Sequence, residues 1–305
     1  MSDRILVTGR EGFIGRNLVD LLRDQGNEVR ILDTAGNSDY KFSITDRAKL
    51  FNGVKEKFDG IFHLATTTFP LQFESDPFDG FEVNATGTLN ILELAKMRRI
   101  PRVLRASSSA AYGDSKKTSV ENNIPDRYLN LYPVTKILDE YLARYYSARN
   151  EVQCISLRYF NTYGPNENVK GMYSSQISKF LSYALKGEPI IIYGYGTQRK
   201  DFIYMSDNVG ATKLAFDRGK AGESYNIGTG ITTDFNSIAK LVKEITGSDS
   251  SVEHIPNPLK SYQMFTQADL TKTSKDLDFR PKYDLRTAIK EILEAERENL
   301  ENSAQ

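Results

Sequence analysis

The sequence predicts an α/β fold: a doubly wound parallel sheet with helices on both faces, followed by a smaller C-terminal domain. Three observations carry the prediction. Apolar, strand-like runs alternate with helical runs through the first half of the 305 residues, and parallel strands need such crossovers. A glycine-rich turn joins the first strand to the first helix. The alternation then loosens after residue 165, where a second, smaller unit begins.

RILVTG (4–9) reads as the first strand. The helix GFIGRNLVDLLRDQG (12–26) follows, with Ile14, Leu18, Leu21 and Leu22 on one face and Gly26 as its C-terminal cap. EVRILD (28–33) and FDGIFHLA (58–65) are the second and third strands. A long helix runs from about Pro77 to Arg99, with Pro77 in its first turn. PRVLRASS (101–108) is the fourth strand, LYPVTKILDEYLARYYSARN (131–150) a helix, and VQCISLRYF (152–160) the fifth strand. Further on, a helix at about 173–186 precedes the apolar strand PIIIYG (189–194). SDNVGATKLAF (206–216) reads as a helix capped by Ser206 or Asp207. ESYNIG (223–228) is expected to rejoin the parent sheet as a sixth strand. Two amphipathic helices, 235–247 and 284–300, close the chain, and the polar tail ERENLENSAQ is expected to fray.

Composition excludes several classes of function. Lys plus Arg total 40 and Asp plus Glu total 40, which leaves no positive surplus for nucleic acid or an anionic membrane. No apolar run approaches the ~20 residues of a membrane helix, and no signal peptide precedes the first strand. The single cysteine, Cys154, sits in a strand-like run and fits a buried hydrophobe in a reducing compartment. These features predict a cytoplasmic protein without a metal site.

VTGREGFIG (7–15) carries Gly9, Gly12 and Gly15 between a strand and a helix. Gly9 permits a tight turn, Gly12 lets backbone approach a pyrophosphate, and Gly15 lets helix and sheet pack closely. Asp33 ends the second strand 18 residues after Gly15, where its carboxylate can accept from both adenosine ribose hydroxyls and repel a 2′-phosphate. The following TAGNSDY contains no arginine to hold such a phosphate, so NAD is expected rather than NADP. On this reading residues 1–165 form a dinucleotide-binding domain, rejoined by the chain at about 200–230, and residues 166–305 bind substrate.

Two segments place a lysine four residues after a tyrosine, YGDSK (112–116) and YPVTK (132–136). The first is turn-forming sequence, where such spacing does not bring the side chains together. The second begins a helix, where i and i+4 share a face, so Lys136 can stabilise a Tyr132 phenolate. The serines of RASSSAAYG (105–113) end a parallel strand at the carboxyl edge, where open sheets bind ligands. One of them can relay a proton to Tyr132.

The glycine turn, Asp33, the strand-four serines and the YxxxK helix together resemble the extended short-chain dehydrogenase/reductase superfamily. The likeness is closest to its nucleotide-sugar epimerase and dehydratase branch and covers essentially the whole chain. It implies a Rossmann-like fold, bound NAD, and catalysis by Ser108, Tyr132 and Lys136, the lysine lowering the tyrosine pKa. It implies cofactor contacts from Gly9, Gly12, Phe13, Ile14, Gly15, Asp33, Leu64, Ala65, Ser107, Tyr132, Lys136 and Tyr159. Through LRYFNTYGP (157–165) and GTQRKDFIYMSD (196–207) it implies substrate contacts from Asn161 and Arg199, the latter on a nucleotide diphosphate, alongside Ser108. His63, in HLA (63–65), becomes structural or cofactor-lining, and Asn84 supports the site from the long helix.

Departures narrow the chemistry. Related dehydratases carry an Asp-Glu pair where Ser109 and Ala110 stand, and related decarboxylases a glutamate at the Ala110 position. Epimerisation needs neither. An aspartate that contacts adenine in many members is replaced by Ser43. NVKGMYSSQISKFL (168–181) and PNPLKSYQMFTQADLTK (256–272) look like segments of ADP-glyceromanno-heptose 6-epimerases, which would make Lys170 a second base; a solvated loop lysine is the other reading. The expected activity is NAD-dependent epimerisation of a UDP-hexose at C4, with the heptose 6-epimerase or a net dehydrogenase or reductase of nucleotide sugars as alternatives. Apolar residues on more than one face of helices 77–99 and 131–150, and the resemblance, imply a homodimer.

Overall fold

The computed structural model describes residues 2–125, 127–128, 130–258 and 262–303. Residues 259–261, inside the heptose-epimerase-like segment, and 304–305, in the polar tail, lie outside it. β1 (Arg4–Thr8) and β2 (Glu28–Asp33) are joined by α1 (Phe13–Asp24). β3 (Tyr40–Lys41) and α2 (Arg47–Gly53) lead into β4 (Gly60–His63). Next come α3 (Pro70–Ser75), α4 (Pro77–Phe81), a π-helical turn over Glu82–Thr86, and α5 (Gly87–Arg98). β5 (Arg102–Ser108), α6 (Leu131–Ala148) and β6 (Gln153–Tyr159) follow. Beyond them lie β7 (Asn161–Tyr163), α7 (Gln176–Lys186), β8 (Ile190–Tyr193), β9 (Arg199–Tyr204), α8 (Met205–Arg218) and β10 (Ser224–Ile227). β11 (Thr232–Asp234), α9 (Phe235–Thr246), β12 (Val252–Ile255), α10 (Thr271–Leu277) and α11 (Leu285–Ser303) complete the chain.

The main sheet has seven parallel strands in the order β10-β6-β5-β4-β1-β2-β3. Chain order reverses at β1, which pairs with β2 on one side and β4 on the other. Ligands of such sheets bind beyond the carboxyl ends of the strands at this switch. Strand alternation sends successive β1 side chains to opposite layers. Ile5 and Val7 pack with Leu18 and Leu22 of α1 and Phe216 of α8. Leu6 packs with Leu50 of α2, Ile91 and Leu94 of α5, and Tyr146 of α6. Each such side chain, fully buried, contributes about 1.5–3 kcal/mol. A third core joins Phe180 and Leu181 of α7 to Ile238 and Val242 of α9 and Ile289 and Ile292 of α11. It lies against the three-stranded sheet β11-β9-β7.

ESYNIG does return to the parent sheet, as its β10 edge. The expected long helix is interrupted, because the π turn at Glu82–Thr86 inserts an extra residue and Asn84 is buried within it. Neither Ser206 nor Asp207 caps α8, which starts straight from β9. The Asp207 carboxylate instead accepts the backbone N–H groups of Lys282 (2.8 Å) and Tyr283 (3.0 Å), tying the last connection to the helix start.

Candidate active site

Gly9 has φ +78, and a Cβ there would lie 2.5 Å from the backbone nitrogen of Ala65. A Cβ on Gly15 would lie 2.1 Å from the Gly9 carbonyl oxygen. Both positions therefore need glycine for β1, α1 and the end of β4 to meet. Gly12 is open beyond a 3.3 Å approach to the Gly9 carbonyl, so ligand backbone contact is possible at the helix N-terminus, where a pyrophosphate is favoured. Two adjoining cavities share Gly9, Gly12, Leu64 and Thr66. One, about 410 Å³, also takes in Phe13, Ile14 and Gly15 together with Ser107, Ser108, Tyr132, Lys136, Tyr159, Asn161 and Lys170. The other, about 290 Å³, takes in Asp33, Ser43 and Ala65. The two cavities thus set the glycine turn between Asp33 on one side and Ser108, Tyr132 and Lys136 on the other.

Tyr132 stands in the first turn of α6, whose N-terminus is capped by Asn130 accepting the Tyr132 N–H at 3.1 Å. Lys136 is one turn later and buried. Its Nζ lies 5.7 Å from the Tyr132 ring centre and donates to Thr66 Oγ1 and to the Ala106 carbonyl at 3.4 Å. Burial pushes the Tyr132 phenol up to about 12, against a hydrogen bond from Ser108 and the charge of Arg105, both of which pull it down. The Lys136 ammonium is turned to Thr66 and Ala106. Burial pulls Lys136 itself down to about 7, with Asp139 opposing.

The support behind Lys136 is specific. Thr66 donates to Asn84 Oδ1 at 2.8 Å, and Asn84 Nδ2 donates to Thr135 Oγ1 at 3.0 Å, linking the π turn to α6. His63 is neutral, its pKa pulled down to about 3 by burial and by Arg105 and Lys136. Its ring bridges Thr8 (2.8 Å) and Thr88 (3.1 Å), across β1, β4 and α5. Tyr112, the rejected tyrosine, is buried and donates to Asn226 Oδ1 at 2.6 Å, away from the cavity.

Other expected residues have mixed placements. The Ser107 hydroxyl is committed to Glu140 at 2.6 Å, and the Tyr159 hydroxyl pairs with Thr212 at 2.9 Å, so only their remaining surfaces face the cavity. Asn161 Nδ2 donates to the Asp201 carbonyl (2.9 Å) and Thr266 (3.0 Å). Lys170 donates to Glu167 at 2.8 Å and to the Thr162 carbonyl at 3.1 Å, with its Nζ 4.3 Å from the Phe13 ring centre. It is therefore a built cavity residue rather than a solvated lysine. Arg199 lines neither cavity: it is half exposed and bonded to Thr232 at 2.9 and 3.0 Å. Strand alternation turns the next residue, Lys200, inward, where it is buried over the Tyr262 ring and donates to the Gln263 carbonyl.

Sequence reasoning missed the apolar cover. Phe69 and Tyr173 stack with ring centres 3.7 Å apart, and both line the cavity that holds Tyr132. The Phe73 ring lies 5.8 Å from that of Tyr132. The aromatic residues of the loops 66–77 and 162–173 were visible in the sequence, but nothing local indicated that they meet.

The sequence profile of the NAD dependent epimerase/dehydratase family matches residues 5–228. Over 98% of this chain and 99% of its own length, UDP-N-acetyl-alpha-D-glucosaminuronate decarboxylase of Bacillus cytotoxicus is 31% identical. ADP-L-glycero-D-manno-heptose-6-epimerase of Brachyspira hyodysenteriae is 32% identical over 95% of this chain and 96% of its own. The crystal structure of UDP-glucose 4-epimerase from Thermotoga maritima with UDP-glucose superposes with a TM-score of 0.91 at 30% identity, covering 97% of this chain and 99% of that one.

Proposed function

Because the chain belongs to the NAD dependent epimerase/dehydratase family, we propose that it epimerises a nucleotide sugar through a transient keto-sugar, with a UDP-hexose inverted at C4. The observation that carries this reading is a single cavity in which Ser108 and Tyr132 stand beside the glycine cradle, with Ala110 rather than a carboxylate two residues before Tyr112. Dehydration and decarboxylation lose the acid/base they would require there.

NAD, when bound, supplies reversible hydride acceptance and return at the sugar carbon. The work of the protein is proton transfer and positioning. Tyr132 takes the proton of the sugar hydroxyl, Ser108 relays it, and the pair returns it when the carbonyl is reduced from its other face. Gly9, Gly12, Phe13, Ile14, Gly15, Asp33, Leu64, Ala65, Ser107 and Tyr159 hold the cofactor, with Lys136 and Tyr132 at its reactive end. Residues 1–165, with the return at 200–230, serve this role, and residues 166–305 bind the sugar nucleotide through Lys170, with Asn161 contacting it from the end of the first unit. Arg199 and the inward-facing Lys200 beside it are the two cations offered to the diphosphate at this edge, both outside the two cavities. Chains pair as cytoplasmic homodimers through α4–α5 and α6.

Lys170 in the same cavity favours one second reading, 6-epimerisation of an ADP-heptose with this lysine as an added base. Incubation with UDP-galactose, and separately with an ADP-heptose, followed by proton NMR without added cofactor, separates the two. Conversion of the hexose supports the first; conversion of the heptose alone supports the second. Conversion of neither, or stoichiometric NADH formation, contradicts both.

A further inference from the structure

We propose that Glu11 is a second determinant of cofactor choice: it occupies the guanidinium groups of Arg10 and Arg16, which would otherwise hold a 2′-phosphate, and so keeps the site for NAD. The inference rests on the reading that the glycine cradle binds NAD. It concerns the cavity that holds Asp33, adjoining the one that holds Tyr132.

Glu11 lies inside the glycine turn, and its N–H donates to Asp33 Oδ2 at 2.9 Å. That bond sets residue 11 beside the acid that would hold the ribose, and both line the same cavity. The Glu11 carboxylate divides itself between two arginines, with Oε1 2.9 Å from Arg10 Nη1 and Oε2 2.6 Å from Arg16 Nη2. Its seat is fixed from the other side. A Cβ on Gly36, whose φ is +67, would lie 2.1 Å from Glu11 Oε1. The turn after β2 is thus shaped around this carboxylate.

Paired guanidiniums are general ligands for phosphate, because their planar forks match its oxygens. Here they are only partly satisfied: Arg10 Nε and Arg16 Nε are buried without a hydrogen-bond partner among the described residues. Partial burial pushes the Glu11 carboxyl up, but hydrogen bonds and charge from Arg10 and Arg16 outweigh it and hold the group below the usual carboxylate range. Two guanidiniums and two carboxylates therefore balance at the ribose edge. A 2′-phosphate carries about −1.5 to −2 charge and would have to displace Glu11, leaving that carboxylate uncompensated beside Asp33. Removing Asp33 alone leaves the arginines occupied by Glu11.

The test uses the full chain as wild type, D33S, D33S/E11Q, D33S/E11S and D33S/E11Q/R16S. Each is incubated with an equimolar mixture of NAD and NADP and freed of unbound nucleotide by gel filtration. The retained nucleotides are extracted and counted by chromatography, with no sugar present. The expected NADP-to-NAD ratio in D33S/E11Q is at least ~5-fold that of D33S, consistent with two freed charge-assisted contacts, and R16S reverses the gain. A smaller gain in both Glu11 variants, or a gain that survives R16S, overturns the role of Glu11. Wild type that retains neither nucleotide overturns the NAD reading itself, a distinct outcome.

Discussion

Tyr132 owes its high pKa to burial and its selection to helical spacing, and these make separate predictions. Tyr132→Phe should lower turnover by at least about 10²–10⁴-fold, the usual worth of a positioned general acid/base, while the variant still retains NAD; unchanged turnover would remove Tyr132 from the chemistry. In cofactor-free protein the phenol, at about 12, should stay protonated through pH 9. The difference in ultraviolet absorbance between wild type and Tyr132→Phe across an alkaline titration checks this, and a phenolate appearing below pH 9 would contradict it. The i,i+4 rule was enough to choose Tyr132 over Tyr112, because one segment is a helix start and the other a turn. Arg199 came from the family resemblance of its segment, which spacing alone does not resolve between neighbouring residues. On a strand, a shift of one residue changes the face, so the cation that turns inward is Lys200.

At the scale of elements, α6 carries a buried polar stripe: Tyr132, Lys136, Asp139 and Glu140 all face the sheet. Glu140 accepts from Arg158 Nε (2.9 Å) and Nη2 (2.6 Å), from Ser107 (2.6 Å) and from Ser224 (3.0 Å), which ties α6 to β5, β6 and β10. Glu140→Ala leaves the Arg158 guanidinium buried without its counter-ion and should cost about 3–5 kcal/mol in denaturant unfolding. Its pH dependence follows in sign. Burial pushes the carboxyl up, but the hydrogen bond and charge of Arg158 outweigh it and hold it below its ordinary 4.5. A depressed carboxyl stabilises the fold fully above the unfolded value and loses that stabilisation as pH falls through the folded one. Glu140→Gln should therefore flatten the acid limb of a plot of unfolding free energy against pH; an unaltered limb would show that other carboxylates set it. The stripe was present in the sequence as polar residues at helical spacing. Its partners were not, because Arg105 and Arg158 come from strands whose order only the fold reveals.

Across the whole molecule, six strands of the seven-stranded sheet, its return strand included, were legible, since apolar runs of the right length alternate with amphipathic helices. β3, β7 and β11 were not, being too brief for periodicity to show, and β9 and β12 were not read either. The π turn at Asn84 was hidden as well, because a single inserted residue barely disturbs a helical pattern. Apolar residues left exposed on α4, α5 and α6 include Phe78 at 85%, Tyr141 at 55% and Tyr145 at 55%, a surface that suits a second copy. Sedimentation or light scattering at micromolar concentration should give twice the 34.5 kDa chain mass, and Phe78→Asp with Tyr141→Asp should return it to one; a monomeric wild type would refute the pairing.

Epimerisation through a keto-sugar requires that a sugar carbon be oxidised and then reduced on its other face, with nothing exchanged with solvent. UDP-galactose bearing deuterium at C4, incubated with the protein in ordinary water and read by proton NMR, tests it most directly. The expected product is UDP-glucose that keeps the deuterium at the inverted C4. Product with the label washed out, or UDP-galactose left unchanged, would contradict it.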